Sequence, residues 1–510
     1  MEQVVMRSKI MGFDFLDEEF IEVRRGKRVV HCHGVFDLLH IGHIRHFKRA
    51  KSSGDILIVS VTPDCYVNKG PGRPVFNQEL RAEAVASLGV VDYVLINKWP
   101  TAENTIHRIK PDIYVKGVEY EDESNDITAK IVNERTAVQS VGGDILYTED
   151  ITYSSSSLLN KYFPVFSDDV LSYLELFKRN HTVEQVLQYL DGAKNLSVLV
   201  VGEAIIDEYN FCTAIGKAGK EPVLVSKLDS KETYIGGALA LANHVSSFCK
   251  KVTCLSYLGD RDNFKKLIDD KLNQNVTLSY EVKQSSPTIL KRRYIEASTK
   301  QKLFETYDIN DEEIDESLEE SFLTRLQEEV NRFDVVIVAD YGHGLISKRC
   351  VSYLTKHAKF LAVNAQANAG NHGFNCISKY PKADYVAIAN RELQLTFRER
   401  HCAPVEHINC LYKDYDYKNI MVTDGKNGSF TSRKDGDIYA APAFAGTVVD
   451  RVGAGDSVLA ITSLCMAQGA SSEVVGFIGN VVGAEAVNIM GNKNFIEKVS
   501  LKKHISHLMK

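Results

Sequence analysis

The stretch HGVFDLLHIGH, residues 33–43, sets three histidines around the point where an apolar run gives way to a helical pattern. A helix start presents unpaired N–H groups and a partial positive charge, so it receives phosphate readily. His40 and His43, three apart, face the same side there and add donors that can follow charge onto a leaving group. Gly34, before the turn, lets the main chain come close to a ligand. A second stretch, DRVGAGDSVLA at 450–460, opens a helix with Gly453, Ala454 and Gly455, whose N–H groups suit a phosphoryl group in transfer. Asp456 in that turn can take the proton of an attacking hydroxyl. A packed histidine or a mere turn explains any one of these residues alone; the ordered sets point to phosphorus chemistry.

The elements that must hold these residues alternate along the chain. RVVHCHG, DILIVSVT, VDYVLIN, DIYVKG and GDILYTED predict five strands between 27 and about 162, with helical stretches such as NQELRAEAVASLG between them. That alternation predicts an α/β fold with a doubly wound parallel sheet, whose ligands bind beyond the carboxyl ends of the strands. Residues 163–195 predict a helical connector, with a Thr182/Gln185 capping pair and a stop at Gly192. A second doubly wound unit starts at LSVLVVGEAIIDEY. Its strands are VLVVG, DVVIVADYG, KFLAVNA, ADYVAIA and NIMVTDG, and the β-rich segment between KLDSK and TYDIN predicts a small lid. The acidic run DINDEEIDESLEE predicts a solvated helix start. The expected organisation is a domain over 1–162, a connector over 163–195 and a domain over 196–510.

Composition sets the outer limits. A chain of 510 residues accommodates two or three domains. With 44% hydrophobic and 25% charged residues it has the balance of a soluble globular protein. A formal net charge of -6 and a pI near 6.2 give no bulk pull toward nucleic acid or anionic membrane. No apolar run reaches the roughly 18 residues of a membrane helix. The start MEQVVMRSKIMGFDF lacks the apolar core of a secretory signal, so a cytoplasmic location is expected. Ten scattered cysteines without a C-x-x-C pair argue for reduced thiols rather than a zinc cage or disulfide framework.

GVFDLLHIGHI resembles the signature of the cytidylyltransferase-like nucleotidyltransferases, which join a nucleotide to a phosphorylated small molecule and expel pyrophosphate. The resemblance covers residues 28–162 and implies a Rossmann-like domain. It assigns Gly34 and Phe36 to the nucleotide, as well as Arg81 in GRPVFNQELRAEAVASLGVVDYV and Lys116 in the K-G turn of PDIYVKGVEY. Ser155 and Ser156 of ITYSSSSLLNKY would hold the triphosphate, and His40, His43 and Lys51 would carry the transfer, with Mg²⁺ on the triphosphate. A sugar phosphate is already an anionic nucleophile, so such a site needs alignment and charge neutralisation rather than a general base. His33 stands where the family often has Thr or Asn. Lys69 and Arg73 either close over the triphosphate or are solvated loop charges.

DRVGAGD, preceded by IGGALALAN at 235–243 and VTDGKNGSF at 422–430, resembles the ribokinase-type carbohydrate kinases over residues 196–510. The resemblance makes Asp456 the base and Gly453 to Gly455 the anion hole. Gly236, Gly237, Asn243 and Asp207 would meet the sugar, and Lys291 a phosphate already on it. Thr423, Gly425 and Gly428 would border ATP, Asn480 its base, and Glu392 the magnesium. The chain departs from that pattern in three places. Ala389 stands in the asparagine slot of an N-x-x-E, with Asn390 one position on; Val452 replaces a common Thr; VNAQANAGNHG differs from a D-P-K stretch.

The pairing of the two is similar to that in the bifunctional heptose 7-phosphate kinase/heptose 1-phosphate adenylyltransferases, with the domain order reversed. It implies sugar phosphates and nucleoside triphosphates as partners, and a homodimer by family analogy. The GVFDLLHIGH motif resembles the CTP-using branch as well as the ATP-using one. A cytidylyltransferase for a polyol phosphate joined to a kinase of other substrate therefore stands beside the heptose reading. A decayed kinase half acting as a scaffold has only Ala389 and Val452 in its favour.

Overall fold

The computed structural model describes residues 9–509 apart from 18, 68–72, 119–129, 149–165, 263 and 311. The chain divides into two compact units, residues 1–167 with 502–508, and residues 168–501.

In the first unit the five expected strands form as β2 (Val29–Gly34), β3 (Ile56–Val61), β4 (Tyr93–Ile96), β5 (Ile113–Gly117) and β6 (Asp144–Thr148). A sixth, β1 (Ile10–Met11), pairs parallel with β4 and has too few residues to show a period. The order β1-β4-β3-β2-β5-β6 is parallel throughout. The β2–β3 and β5–β6 pairings run in opposite directions across the sheet, so the switch point lies between β2 and β5. All six residues of β3 are buried, the near-continuous apolar run of a strand covered on both faces. Val30, Leu57 and Val59 pack with Phe47 and Ala50 of the helix Ile41–Lys51, and with Val85 of the helix Gln78–Ala86, and so fix both helices to the sheet.

Two helices, Asp168–Asn180 and Val183–Gly192, occupy the predicted connector, and the Thr182/Gln185 capping box is formed. Gly192 stops its helix without a left-handed turn: its φ is -66°, a 3₁₀ turn follows, and a Cβ there would strike the Gln468 side chain at 2.1 Å. Beyond it comes β7 (Ser197–Gly202). It lies in a nine-stranded sheet with β10 (Lys251–Arg261), β11 (Val276–Pro287), β14 (Val335–Asp340), β15 (Leu361–Ala365), β16 (Lys382–Ala389), β17 (Asp416–Thr423), β18 (Ser429–Arg433) and β19 (Ile438–Ala441). The order is β11-β10-β7-β14-β15-β16-β17-β18-β19, parallel up to β17 and antiparallel beyond. The helices Ala238–Ser246, Ala454–Ala467 and Ser472–Ala486 are buried along nearly their whole lengths.

The lid forms as a separate four-stranded sheet of β8 (Ala204–Lys217), β9 (Leu224–Gly237), β12 (Ile289–Glu296) and β13 (Lys302–Asp308), ordered β13-β12-β8-β9. The acidic run leads into the helix Glu316–Val330, where Asp315 accepts from Leu318 N at 2.8 Å. Among the described residues no helix is long and apolar enough to cross a membrane.

Candidate functional sites

β2 delivers His33 and Gly34 to the switch point of the first sheet, and the helix Ile41–Lys51 starts directly after. His40 is the N-cap residue, its Nδ1 accepting from Gly42 N at 3.1 Å. This imidazole takes the place of a capping carboxylate or hydroxyl. The His40 and His43 rings lie 4.0 Å apart, and His43 meets the Phe36 ring edge-on at 5.4 Å. Phe36 has φ 50°. Its ring fills the space a Cβ at Gly34 would need, with a closest approach of 2.8 Å, so Gly34 makes room for Phe36 rather than for a ligand. Beneath, Ser60 Oγ joins His31 Nε2 at 2.7 Å and His33 Nδ1 at 2.8 Å, while Thr62 lies 3.3 Å from His33 Nε2. Burial, reinforced by the neighbouring His33, holds His31 well below the usual imidazole range. His46 joins Thr148 at 2.8 Å. These hydroxyls lie on or just past β3 and on β6, far in the chain from the histidines they meet, which is why no local motif announced them.

Four of the expected cations have other occupations. Arg81 is buried and donates to the carbonyls of Phe76, Val35 and Thr62 and to Asp64, so it clamps the loop after β2 to the end of β3. Lys51 corrects the expected catalytic set. It sits at the last turn of its helix, about 12 Å along the axis from His43 and about 16 Å from His40, and its Nζ joins Asp92 and the carbonyl of Asp55. Arg73 is neither a solvated charge nor a closing one, but forms a buried ion pair with Asp37 at 3.5 Å. Lys116 ends β5 at the switch point, where its Nζ meets Glu134 at 2.7 Å. Lys69, Ser155 and Ser156 lie outside the described residues.

In the second unit the sheet reverses direction between β7 and β14, and the chain leaves β7 through Glu203 into the lid. Gly453, at φ 79°, caps the helix Ala454–Ala467 and sets Asp456 in its first turn. A Cβ on Gly453 would lie 2.3 Å from Asn492 Oδ1, and one on Gly236 2.2 Å from Asp207; the Cα of Gly455 faces open space. Gly237, at φ 58°, turns the chain from β9 into the helix Ala238–Ser246. Asp207 accepts from Asn492 Nδ2 at 3.1 Å and forms an ion pair with Arg293. Lys291 is its register partner on β12.

Asp456 accepts from Gln366 Nε2 at 2.9 Å. Burial, with Asp207 nearby, raises its carboxyl to about 6, against the pull of the Tyr341 hydroxyl. Burial likewise lowers Lys291, whose charge Asp207 supports. Glu392 accepts from Ala389 N at 2.9 Å and Ala367 N at 3.3 Å; burial and the facing Asp456 push it to about 7. Asn390 donates to Asp424 at 3.0 Å. Thr423 ends β17, and Gly425 and Gly428 form the turn into β18, where a Cβ on Gly428 would lie 2.0 Å from the Ala441 carbonyl. Asn480 reaches the same hairpin, donating to Ser429 Oγ at 2.7 Å. Asn243 does not join the Asp456 group: its amide bonds Lys271 O at 2.9 Å and Asn273 N at 3.0 Å and holds the turn before β11. Arg293, Asn492, Gln366 and Tyr341 went unrecognised in the sequence. Only Arg293 carried a local signal, sharing a strand face with Lys291.

The model of the pfkB family carbohydrate kinases matches residues 195–498. The chain belongs to that family. Its pfkB-type domain is joined to a stretch, residues 31–161, that matches the cytidylyltransferase-like model. The chain is 27% identical over 342 residues to the bifunctional protein HldE of Campylobacter jejuni subsp. doylei, covering 64% of this chain and 71% of that protein. To the bifunctional protein HldE of Syntrophotalea carbinolica it is 37% identical over 127 residues, 24% of each chain. With several such relatives, then, the match spans about a quarter of their length. The second unit's pfkB-type fold is shared with phosphofructokinase-2 from Escherichia coli solved with potassium, at TM-score 0.51 and 14% identity, covering 62% of this chain and 100% of that one.

Proposed function

We propose that this chain phosphorylates a sugar phosphate, heptose 7-phosphate, with ATP, and transfers a nucleotidyl group from ATP or CTP to a sugar 1-phosphate with release of pyrophosphate. The observation that carries the reading is the buried Asp456 at a glycine-capped helix start, within electrostatic reach of Asp207 and Lys291, with Arg293 paired to Asp207. The likeness to HldE proteins, described as bifunctional, supports the pairing of two activities.

In the kinase step Asp456 accepts the proton of the sugar hydroxyl, whose oxygen attacks the γ-phosphorus as ADP departs. Asp207 orients the sugar hydroxyls, and Lys291 receives the phosphate the sugar already carries. The N–H groups at Gly453 to Gly455 receive the moving phosphoryl. Glu392, raised by burial and by the nearby Asp456, fits a neighbouring Mg²⁺, since a cation would relieve that repulsion. When bound, Mg²⁺ neutralises phosphate charge. In the second step a sugar 1-phosphate oxygen attacks the α-phosphorus, and His40, His43 and the helix start take up the charge leaving with pyrophosphate. Gly34 and Phe36 act here by shaping the loop that leads into the helix carrying His43.

The working unit is a homodimer in the cytoplasm, a reading supported by exposed apolar side chains on the two edge strands of the lid, Leu224 of β9 and Phe304 of β13. The test is mass spectrometry of products from heptose 7-phosphate with ATP, and from sugar 1-phosphates with ATP or CTP, each with Mg²⁺. A heptose bisphosphate and an ADP- or CDP-heptose are expected. A CDP-product from another phosphate with no heptose turnover would overturn the heptose assignment and favour the polyol reading.

A further inference from the structure

Well away in sequence from the phosphate-handling motifs, RERHCAPVEHINC at 398–410 crowds metal-ligating side chains into one turn between two helices. Arg398, in the left-handed region at φ 55°, ends the helix Asn390–Phe397 and sends the chain back toward the helix Pro404–Asp414. This reversal brings together one ligand atom each from Glu399, Cys402 and His407, all within 4.8 Å of one another. His407 Nε2 lies 3.9 Å from Glu399 Oε2, and Cys402 Sγ lies 3.0 Å from Glu406 Oε2.

His407 supplies the independent observation. The residue is 1% exposed, and neither ring nitrogen has a hydrogen-bond partner. An unpaired buried polar group is costly, so the fold carries a penalty here, part of which a ligand to Nε2 would remove. Packing alone accounts for the ring but not for its nitrogens. The imidazole stacks on Phe397 at 5.0 Å and 8°, which fixes its plane with Nε2 toward Glu399. The Glu399 side chain is 62% exposed, so the cluster borders solvent on that side.

We propose that Glu399, Cys402 and His407 bind a borderline divalent cation of the Zn²⁺ type, with Glu406 or a water as fourth ligand. A thiolate, an imidazole and a carboxylate suit such an ion, whereas Mg²⁺ and Ca²⁺ take oxygen alone. Bonds of about 2.0 Å to nitrogen and 2.3 Å to sulfur set tetrahedral ligand separations of roughly 3.3–3.8 Å, so the cluster closes with side-chain movements on the order of 1 Å. The thiol binds as thiolate and releases its proton to water. No C-x-x-C spacing is involved, and cysteine spacing alone therefore does not reveal a mixed set of this kind. The ion would clip the end of one helix to the start of the next, steadying the helix whose first turn carries Glu392.

The test uses the full chain, reduced and cleared of metal with a chelator, titrated with Co²⁺ and followed by absorption. One equivalent of Co²⁺ is expected to raise a thiolate-to-cobalt charge-transfer band that Zn²⁺ abolishes and excess Mg²⁺ leaves in place. Cys402→Ser should remove the band. His407→Phe, which preserves the stack on Phe397, should weaken Co²⁺ binding about tenfold or more. Glu399→Gln, at an exposed position, should weaken it in the same direction and serves if the His407 variant fails to fold. A missing stoichiometric Co²⁺ complex, a band that survives Cys402→Ser, or an affinity unmoved by Glu399→Gln would each overturn the proposal.

Discussion

In the kinase unit, Asp207 and Asp456 are buried, Glu392 is half-buried near Asp456, and Arg293 and Lys291 offset part of the charge beside Asp207. In the nucleotidyltransferase unit the arrangement is inverted. Arg73, Arg81, Lys116 and Lys51 are each tied to a carboxylate of the same unit, on Asp37, Asp64, Glu134 and Asp92. Among the described residues at its switch point, a pair of imidazoles sits on a helix start. On the proposed function the difference follows from the nucleophile. A sugar hydroxyl would have to lose a proton, which a buried carboxylate suits; a sugar phosphate would arrive charged and need donors rather than a base.

Removing the base tests the first half of that contrast most severely. Asp456→Asn should lower the kinase kcat by about 10²–10⁴-fold while nucleotidyl transfer stays unchanged, read as ADP and pyrophosphate release in parallel assays. His43→Ala should do the reverse, lowering pyrophosphate release about 10²–10³-fold and leaving ADP release intact. A similar loss in both assays from either variant would break the division of labour.

Arg81→Met addresses the inverted charge arrangement. If Arg81 clamps rather than binds nucleotide, the variant should lose about 3–5 kcal/mol in the first unit's chemical denaturation, with the second unit's transition unmoved. A change in nucleotide KM at unchanged stability would return Arg81 to the nucleotide.

The pH dependence sharpens the kinase side. Because Asp456 must be ionised to accept a proton, kinase kcat/KM should rise with pH through about 6. Stability runs the other way. The folded carboxyl sits above its unfolded value of 3.8, so its contribution is fully present below about pH 4 and is lost as pH rises through about 6. Asp456→Asn should therefore gain on the order of 3 kcal/mol over the parent at pH 8, and nothing at pH 4, in urea denaturation. Smallest of all, Lys51→Ala should leave both activities unchanged and cost about 0.2–1 kcal/mol, the worth of a half-exposed pair.

Strands and motifs with a local period were legible in the sequence: RVVHCHG, DILIVSVT and DVVIVADYG became β2, β3 and β14, and H-x-G-H and G-A-G-D fell at helix starts. Two-residue β1 had no period to detect. The use each charge is put to was illegible, because it depends on partners distant in the chain. Arg81 meets carbonyls 5, 19 and 46 residues away, and Asp207 meets Asn492 across 285 residues. Asn243 shows the same limit, since its amide is spent on a turn about thirty residues on.

The Phe36 ring seated against Gly34 bears on how this loop can change over generations. A methyl group at 34 has nowhere to go while the ring stays, and the ring also steadies His43 and Phe47. The two positions thus form a single heritable unit: a larger residue at 34 becomes tolerable only after a smaller one has appeared at 36. The intermediate step loosens the histidine to which the proposed function assigns the transfer. The loop is therefore insulated from gradual mutation by the order in which its changes would have to occur.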